Sequence, residues 1–301
     1  MDRLRAMEVF AAVAEAGSLA GAAARLRLSP PAATRAVAAL EDRLGVRLIQ
    51  RTTRRLRLTE AGSRFLEGAK RLLAELEEAE RAAAGETAAT PSGHLRLTAS
   101  LTFGRLHLAP VVAEFLRAQP RVSASLVLLD RVANLVEEGF DAAVRIAHLP
   151  DSTLIARRLG EVRRLLVASP AYLAARGAPE RPEELKRHEL IAFTGLSPAR
   201  EWRFVEAGRP LAVPLAPRFE VNDTLAALMA AERGEGITVA LSYVAGPLLA
   251  DGRLVPVLAP FQPPPVPVQL VYPQARLVAA KLRAFVDHAV PRLKERLQWL
   301  G

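Results

Sequence analysis

Gly17-Ser18, Ser29-Pro30 and Gly45 punctuate the first 45 residues and leave room for three short helices and little else. Glycine suits the left-handed conformation just past a helix C-terminus. Serine accepts a hydrogen bond from the free N–H groups of a helix start, and proline has the φ wanted at the first helical position. "MDRLRAMEVFAAVAEA" spaces Leu4, Met7, Phe10, Val13 and Ala14 on one face, "LAGAAARL" is a short alanine-rich segment, and "PPAATRAVAALEDRL" is the third helix. On that third helix Ala33, Val37, Leu40 and Leu44 share one narrow sector, which must face the other two helices. Pro31, Arg35, Ala38 and Asp42 occupy the opposite face, with Thr34 on its flank. A helix pair followed by a displayed helix of small and basic residues is the pattern of a helix-turn-helix whose second helix enters the major groove.

Directly after it comes "RLGVRLIQRTTRRLRLT", with arginine at 43, 47, 51, 54, 55 and 57 and no carboxylate. Val46 and Leu48, then Leu56 and Leu58, alternate with polar residues, so two short strands flanking a turn are expected. Such a wing sets Arg51, Arg54 and Arg55 beside a duplex, where guanidinium groups pair with phosphate oxygens. The bland alternative is a solubilising hairpin. Charge supports the first reading. Residues 1–58 hold eleven arginines against five carboxylates, whereas 59–88 are net acidic, so the positive density of this +9 chain is concentrated at its N-terminus.

The stretch "FAAVAEAGSLAGAAARLRLSPPAATRAVAALEDRLGVRLIQRTTRRLRLTEAG" resembles the N-terminal winged helix-turn-helix of LysR-type transcriptional regulators in motif order and spacing. The resemblance implies that Ser29, Pro31, Thr34 and Arg35 sit at the groove. It also puts Arg51 on the wing, with Thr52, Thr53, Arg54 and Arg55 around it. Leu19 and Ile49 stand where the family commonly has phenylalanine, and Ala36, Ala38 and Ala39 leave few polar groups for base reading.

Thr59 can cap a helix running through "EAGSRFLEGAKRLLAELEEAERAAAG" to Gly85, roughly 40 Å long at the α-helical rise. Leu66, Ala69, Leu73, Leu76 and Ala83 approximate a heptad seam, with Phe65 and Leu72 beside it. A lone helix of that length needs a partner, either its own chain or a second one. The resemblance implies antiparallel pairing with the same helix of another subunit, giving a homodimer or homotetramer that presents paired readers to paired half-sites. "AGETAATPSG" is small and polar and contains Pro91, so it reads as a hinge. The expected domains are the winged module over 1–58, the linker and dimerisation helix over 59–86, the hinge over 87–93 and a last domain over 94–301.

From residue 94 strand-like runs ("HLRLTAS", "VSASLVLL", "DAAVRIA") alternate with helical patterns ("VVAEFLRAQ", "VANLVEEG"), which argues for an α/β sheet with crossover helices. Further strands are expected near 162–168, 189–194 and 211–220, and helices near 222–233 and 276–297. "PPPVPVQLVYP" reads as an extended return that sends the last helix back to the first lobe. Lobe 1 then covers about 94–161 and 267–301, and lobe 2 about 162–266. "LRLTASLTFGRLHLAPVVAEFL" and "LVEEGFDAAVRIAHLPDSTLIARRLG" resemble the LysR effector-binding domain, which is like periplasmic solute-binding proteins with ligand between the lobes. The fold class expected is therefore an all-α winged helix-turn-helix with a long linker helix, followed by a two-lobed α/β domain.

Candidate effector residues stand at strand ends and helix starts. Ser100, Thr102 and Phe103 begin a helix whose hydroxyls and free N–H groups can hold a polar or anionic ligand. Arg145 and His148 follow a strand, Phe193 and Thr194 end another, and Asn222 and Thr224 open a helix. As plain alternatives, Ser100, Thr102 and Asn222 are only caps and Arg145 only pairs with a surface carboxylate. The implied effector is a small molecule, a carboxylate or other anion.

Catalysis is not demanded. The chain has no cysteine, so disulfides and thiolate chemistry are excluded. Its five histidines lack metal-ligand spacing, and neither a phosphate loop nor a GxSxG elbow occurs. The lone GxG of "GEGITVALSY" reads as a turn into a strand, and the paired acids Glu137-Glu138 and Glu183-Glu184 as solvated faces. No catalytic residue, metal ligand or cofactor is expected. The N-terminus is not expected to act as a signal peptide, because Glu8 and Glu15 interrupt its apolar part. The uncharged run 254–275 carries seven prolines, so no membrane span is expected and the location is cytoplasmic. The functional expectation is a sequence-specific DNA-binding transcriptional regulator under small-molecule control, contacting RNA polymerase if it activates. The rivals are an architectural DNA-binding protein without ligand control, and a solute-binding or enzymatic α/β protein.

Overall fold

The structure, a computed structural model, describes residues 2–51, 56–83, 90–149, 153–196, 200–274 and 279–298. They form two compact units, Met1–His94 and Leu95–Gly301. In the first, α1 (Arg3–Ala16), α2 (Leu19–Arg25) and α3 (Pro30–Leu44) are followed by strands β1 (Ile49–Arg51) and β2 (Leu56–Leu58) and by the long helix α4 (Glu60–Ala83). Their ends follow the residue types. Gly17 and Gly45 take the left-handed φ of 62° and 66°, and the hydroxyls of Ser18 and Ser29 accept from the N–H groups of Gly21 and Ala32. The turn between α2 and α3 has no glycine. Arg27 adopts a φ of 52° there, a conformation uncommon for a residue with a side chain.

Phe10, Val13, Ala33, Val37, Leu40 and Leu48 build the core of this unit. Two of the expected inward residues are not in it: Leu44 is 37% exposed and Val46 47% exposed. The chain has already left the helix at Gly45, and the first strand begins at Ile49, so Leu48 and Ile49 take the buried places instead. β1 and β2 pair antiparallel with Ile49 opposite Leu58. The wing turn, Thr52 to Arg55, and the Arg51 side chain lie outside the described residues.

A buried carboxylate ties the wing to α3. Glu41 Oε1 accepts from the N–H groups of Leu48 (2.7 Å) and Ile49 (3.0 Å), and Oε2 accepts from Arg47 (2.9 Å). Burial raises its pKa, but the two amides and the guanidinium outweigh that and hold it below the usual carboxylate value. At the start of α4, Thr59 Oγ1 accepts from Gly62 N–H at 2.9 Å and donates to the Arg47 carbonyl at 2.7 Å. Along α4, Phe65 and Leu66 pack on the helical core, with Phe65 edge-on to Phe10 at 5.7 Å, and Ala69 is buried. Lys70 reaches Glu15 at 3.0 Å. The first half of the expected seam is thus taken up within its own chain. Leu73 and Leu76 are half-buried and Leu72 is exposed, while the Ala83 side chain and Gly85 lie outside the described residues.

The second unit has two five-stranded sheets. One, in the order β4-β3-β5-β14-β6, contains β3 (Gly93–Ala99), β4 (Val122–Leu128), β5 (Ala142–Ile146), β6 (Leu154–Val162) and β14 (Val266–Pro273). The helical run Leu101–Ala118 follows β3 and comprises α5 (Leu101–Phe103), a π-helical turn (Gly104–Leu108) and α6 (Ala109–Ala118). Pro110 stands inside this run, just after the π-helical turn, an irregularity of the kind at which a helix takes a residue without an N–H. The other sheet, in the order β11-β8-β12-β7-β13, contains β7 (Arg164–Ala168), β8 (Leu190–Phe193), β11 (Phe219–Val221), β12 (Ile237–Leu241) and β13 (Val255–Val257). A separate hairpin is made by β9 (Glu201–Glu206) and β10 (Arg209–Pro214). Helices α7 (Pro170–Arg176), α8 (Thr224–Glu232) and α9 (Ser242–Ala250) belong with this second lobe. β14 then returns to pair with β5 and β6, and α10 (Ala280–Gln298) packs on the first lobe, where Phe285 meets Phe115 at 5.4 Å.

Two local expectations are corrected. "VANLVEEG" is a series of turns, because Asn134 Oδ1 accepts from the N–H groups of Val136 and Glu137 and so competes with helix. The extended stretch expected over 211–220 is split between β10 and β11, with Arg218 between them. No described helix is long and apolar enough to cross a membrane.

Candidate functional sites

Two sites emerge, one in each unit. On α3 the outward face presents Pro31 and Arg35, both exposed, with Thr34 half-buried beside them. Ser29 is exposed and spends its Oγ on the Ala32 N–H at 3.3 Å, so it positions the helix start. Ala36 is fully buried and has no place on the reading face, whereas Ala38 and Ala39 remain at least partly accessible. Arg47, 79% exposed, is the wing-side cation held by Glu41.

The second site is a cleft of about 160 Å³ between the two lobes of the C-terminal unit. Ser100, Thr102, Arg145, Phe193 and Thr224 line it. Phe103 lies behind the wall, fully buried, with its ring 5.5 Å from that of Tyr243. His148, Thr194 and Asn222 are exposed and outside the lining. Asn222 does not cap α8. Asp223 does, its Oδ1 accepting from Ala226 N–H at 2.8 Å, which leaves Thr224 as the first buried turn of the helix. The N–H groups expected to be free after Ser100 are also partly spent, since Leu101 N–H donates to Asp130 Oδ1 at 2.9 Å. Among the described residues Arg145 has no direct ion pair with a carboxylate. Its Nη2 donates to the Ala133 carbonyl at 3.0 Å, burial pulls its pKa down, and Glu138 opposes that.

Sequence reasoning missed Arg164, Tyr243 and Asp130, all of which line the cleft. Tyr243 sits on α9, a helix hidden in the sequence by Gly246 and Pro247. Burial pushes its phenol pKa well up, with the Ser100 hydroxyl opposing. Tyr243 from the second lobe meets Phe103 and His107 of the first edge-on, the latter at 5.3 Å. This aromatic contact joins the lobes at the back of the cleft.

Burial lowers the pKa of His107, with Arg296 adding to the effect, and likewise lowers the pKa of His188 and His288. A histidine whose folded pKa lies below its unfolded value of about 6.5 binds fewer protons when folded, so its effect on stability is felt as pH falls. Thermal melts should therefore show a constant stability above about pH 7 and a decline as the pH falls through 6.5. His107→Phe should reduce that decline. A flat profile between pH 7.5 and 5.5 would show that these rings are not held neutral.

Comparison with known proteins gives a family match for each of the two units. Residues 4–63 match the family described as bacterial regulatory helix-turn-helix protein, lysR family, and residues 88–294 match the LysR substrate binding domain. The chain is 37% identical over 289 residues to an HTH-type transcriptional regulator of Xanthomonas campestris, covering 95% of this chain and 84% of that one. It is 34% identical over 295 residues to the HTH-type transcriptional regulator CrgA of Neisseria meningitidis, covering 97% of each. The solved structure of CrgA, 34% identical, covers 96% of this chain and 98% of its own with a TM-score of 0.60. Full-length CbnR, solved in complex with its target DNA, is 25% identical and covers 97% and 100% with a TM-score of 0.50.

Proposed function

Since this chain belongs to the LysR family of bacterial regulatory helix-turn-helix proteins, we propose that it controls transcription by binding an operator through α3 and the wing, under the control of a small molecule held in the interlobe cleft. Pro31, Thr34 and Arg35 meet base edges and backbone in the major groove, while Ser29 fixes the helix start. Arg51, Thr52, Thr53, Arg54 and Arg55 follow the phosphates from the wing. Leu72, Leu73 and Leu76 carry pairing with a second copy, in a homodimer or homotetramer, because Phe65, Leu66 and Ala69 are consumed internally. The effector acts through unequal affinity for two arrangements of the assembly, and an activating form would contact RNA polymerase. The chain works in the cytoplasm, where its operator is, and performs no catalysis.

The observation that carries this reading is the exposed Arg35 on the outward face of α3, a helix whose opposite face is packed into the core of the N-terminal unit through Ala33, Val37 and Leu40. The structure of CbnR with its target DNA supports it by likeness. Fluorescence anisotropy with the chain's own promoter region should give a ten- to hundredfold weaker Kd for Arg35→Ala, as expected for loss of about 1–3 kcal/mol at a base contact. Arg51→Ala should instead lower affinity for all duplexes and flatten the salt dependence. Equal binding of promoter and random DNA by the wild type at every salt concentration would favour an architectural protein and overturn the regulator.

A further inference from the structure

The charges around the cleft are unequally committed. Arg131 is engaged by Glu138 through two bonds of 2.7 Å, and Arg145 donates to the Ala133 carbonyl and feels the same glutamate. Arg164 differs. It opens β7 on the second lobe, is half-buried, and its Nε–H is enclosed with no hydrogen-bond partner among the described residues. The charge acting most on it is another cation, Arg203, which is itself paired with Glu201 at 3.0 Å. A guanidinium stays protonated under such pressure, so Arg164 keeps an uncompensated positive charge in the cleft wall. A half-buried charge without a partner is costly, and an anion entering the cleft would remove that cost.

The first lobe offers the opposite chemistry. The N–H of Leu101, which would otherwise favour an anion, is already bonded to the Asp130 carboxylate at 2.9 Å. That carboxylate stands with the hydroxyl residues Ser100 and Thr102 in the lining. A negative group there would meet Asp130, whereas a hydrogen-bond donor would be welcomed. The lining also contains the apolar side chains of Val144, Ile146, Phe193, Leu241 and Val266. At about 160 Å³ the cleft is smaller than the roughly 300–1,000 Å³ pockets that take drug-sized ligands.

We infer that the effector is a small amphiphilic carboxylate whose anion pairs with Arg164 of the second lobe and whose other end turns a hydrogen-bond donor to Ser100, Thr102 and Asp130 of the first. This rests on the cleft being the effector site. One molecule then touches both lobes through complementary charge, which selects against neutral isosteres.

The test uses the full chain and four probes built on one six-carbon chain: 6-hydroxyhexanoate, hexanoate, 6-hydroxyhexanamide and hexylamine. Calorimetric titration at pH 7 should rank the hydroxy acid above hexanoate and find no binding of the amide or amine. Arg164→Gln should raise the Kd of both acids about ten- to hundredfold, and Arg164→Lys should recover part of that loss. Asp130→Asn should narrow the gap between hydroxy acid and plain acid. Acids that bind equally to wild type and to Arg164→Gln overturn the assignment. Binding of the amide or amine that is lost in the cleft-filling Val144→Phe also overturns it, while leaving the effector cleft intact. Absence of binding by all four probes, or acid binding that survives both Arg164→Gln and Val144→Phe, overturns the carboxylate assignment and the cleft reading together.

Discussion

Glu41→Ala is expected to destabilise the winged unit by about 3 kcal/mol, the cost of leaving the N–H groups of Leu48 and Ile49 buried without acceptors. For a unit of this size that corresponds to a fall in Tm on the order of 15 °C. The loss of Arg47 as a partner adds little, because that guanidinium is largely exposed and rehydrates. Glu41→Gln keeps the Oε1 acceptor and should recover most of the stability. Melts of the full chain followed by circular dichroism, with operator binding measured alongside, check both variants. A loss under about 1 kcal/mol in Glu41→Ala would mean that packing of Leu48 and Ile49 alone holds the wing. Since Glu41 has a lowered pKa, its contribution is present above the usual carboxylate range and is lost as pH falls through its folded value.

Gly62→Ala should be at least as damaging. A Cβ at this position would stand 2.0 Å from the carbonyl oxygen of Leu48 and 2.9 Å from its carbonyl carbon. The obstacle is backbone, so relief requires α4 to move away from the wing, at a cost of about 3 kcal/mol or somewhat more. Gly68, on the same helix, is the internal control: nothing lies within 4 Å of its Cβ position, so Gly68→Ala should stabilise by up to about 1 kcal/mol. Opposite signs for the two variants in the same melt would isolate the close approach from helix propensity. Glu41→Ala and Gly62→Ala both act on the segment at Leu48, so the double variant should lose less than the two single losses combined.

The N-terminal reader was legible because its signals are local. Caps, left-handed glycines and a 3.6-residue apolar repeat each act within a few residues, and together they account for α1, α2 and α3. The same logic misplaced Leu44 and Val46, since which apolar residue is buried at a helix end depends on where the chain turns next. It also could not see Glu41 as anything but a surface acid, because its partners lie seven and eight residues ahead, on a strand that must first dock. The seam on α4 was visible as a pattern, but not the share of it that α1 takes through Phe10 and Phe65.

In the second unit the alternation of strand and helix announced two α/β lobes, and strand ends pointed to Ser100, Thr102, Arg145, Phe193 and Thr224. Arg164 and Tyr243 carried no such mark. One opens a strand like many others, and the other begins a helix disguised by glycine and proline. The amino-acid order by itself determined the helices of the N-terminal reader, the family and the sign of the N-terminal charge, all of which depend on neighbours along the chain. Only the tertiary structure decided which charges are already satisfied. Whether a guanidinium or a carboxylate has a partner depends on residues brought together from β3, β7, α9 and the segment after β4, and a buried group's electrostatic cost is set by those neighbours in space.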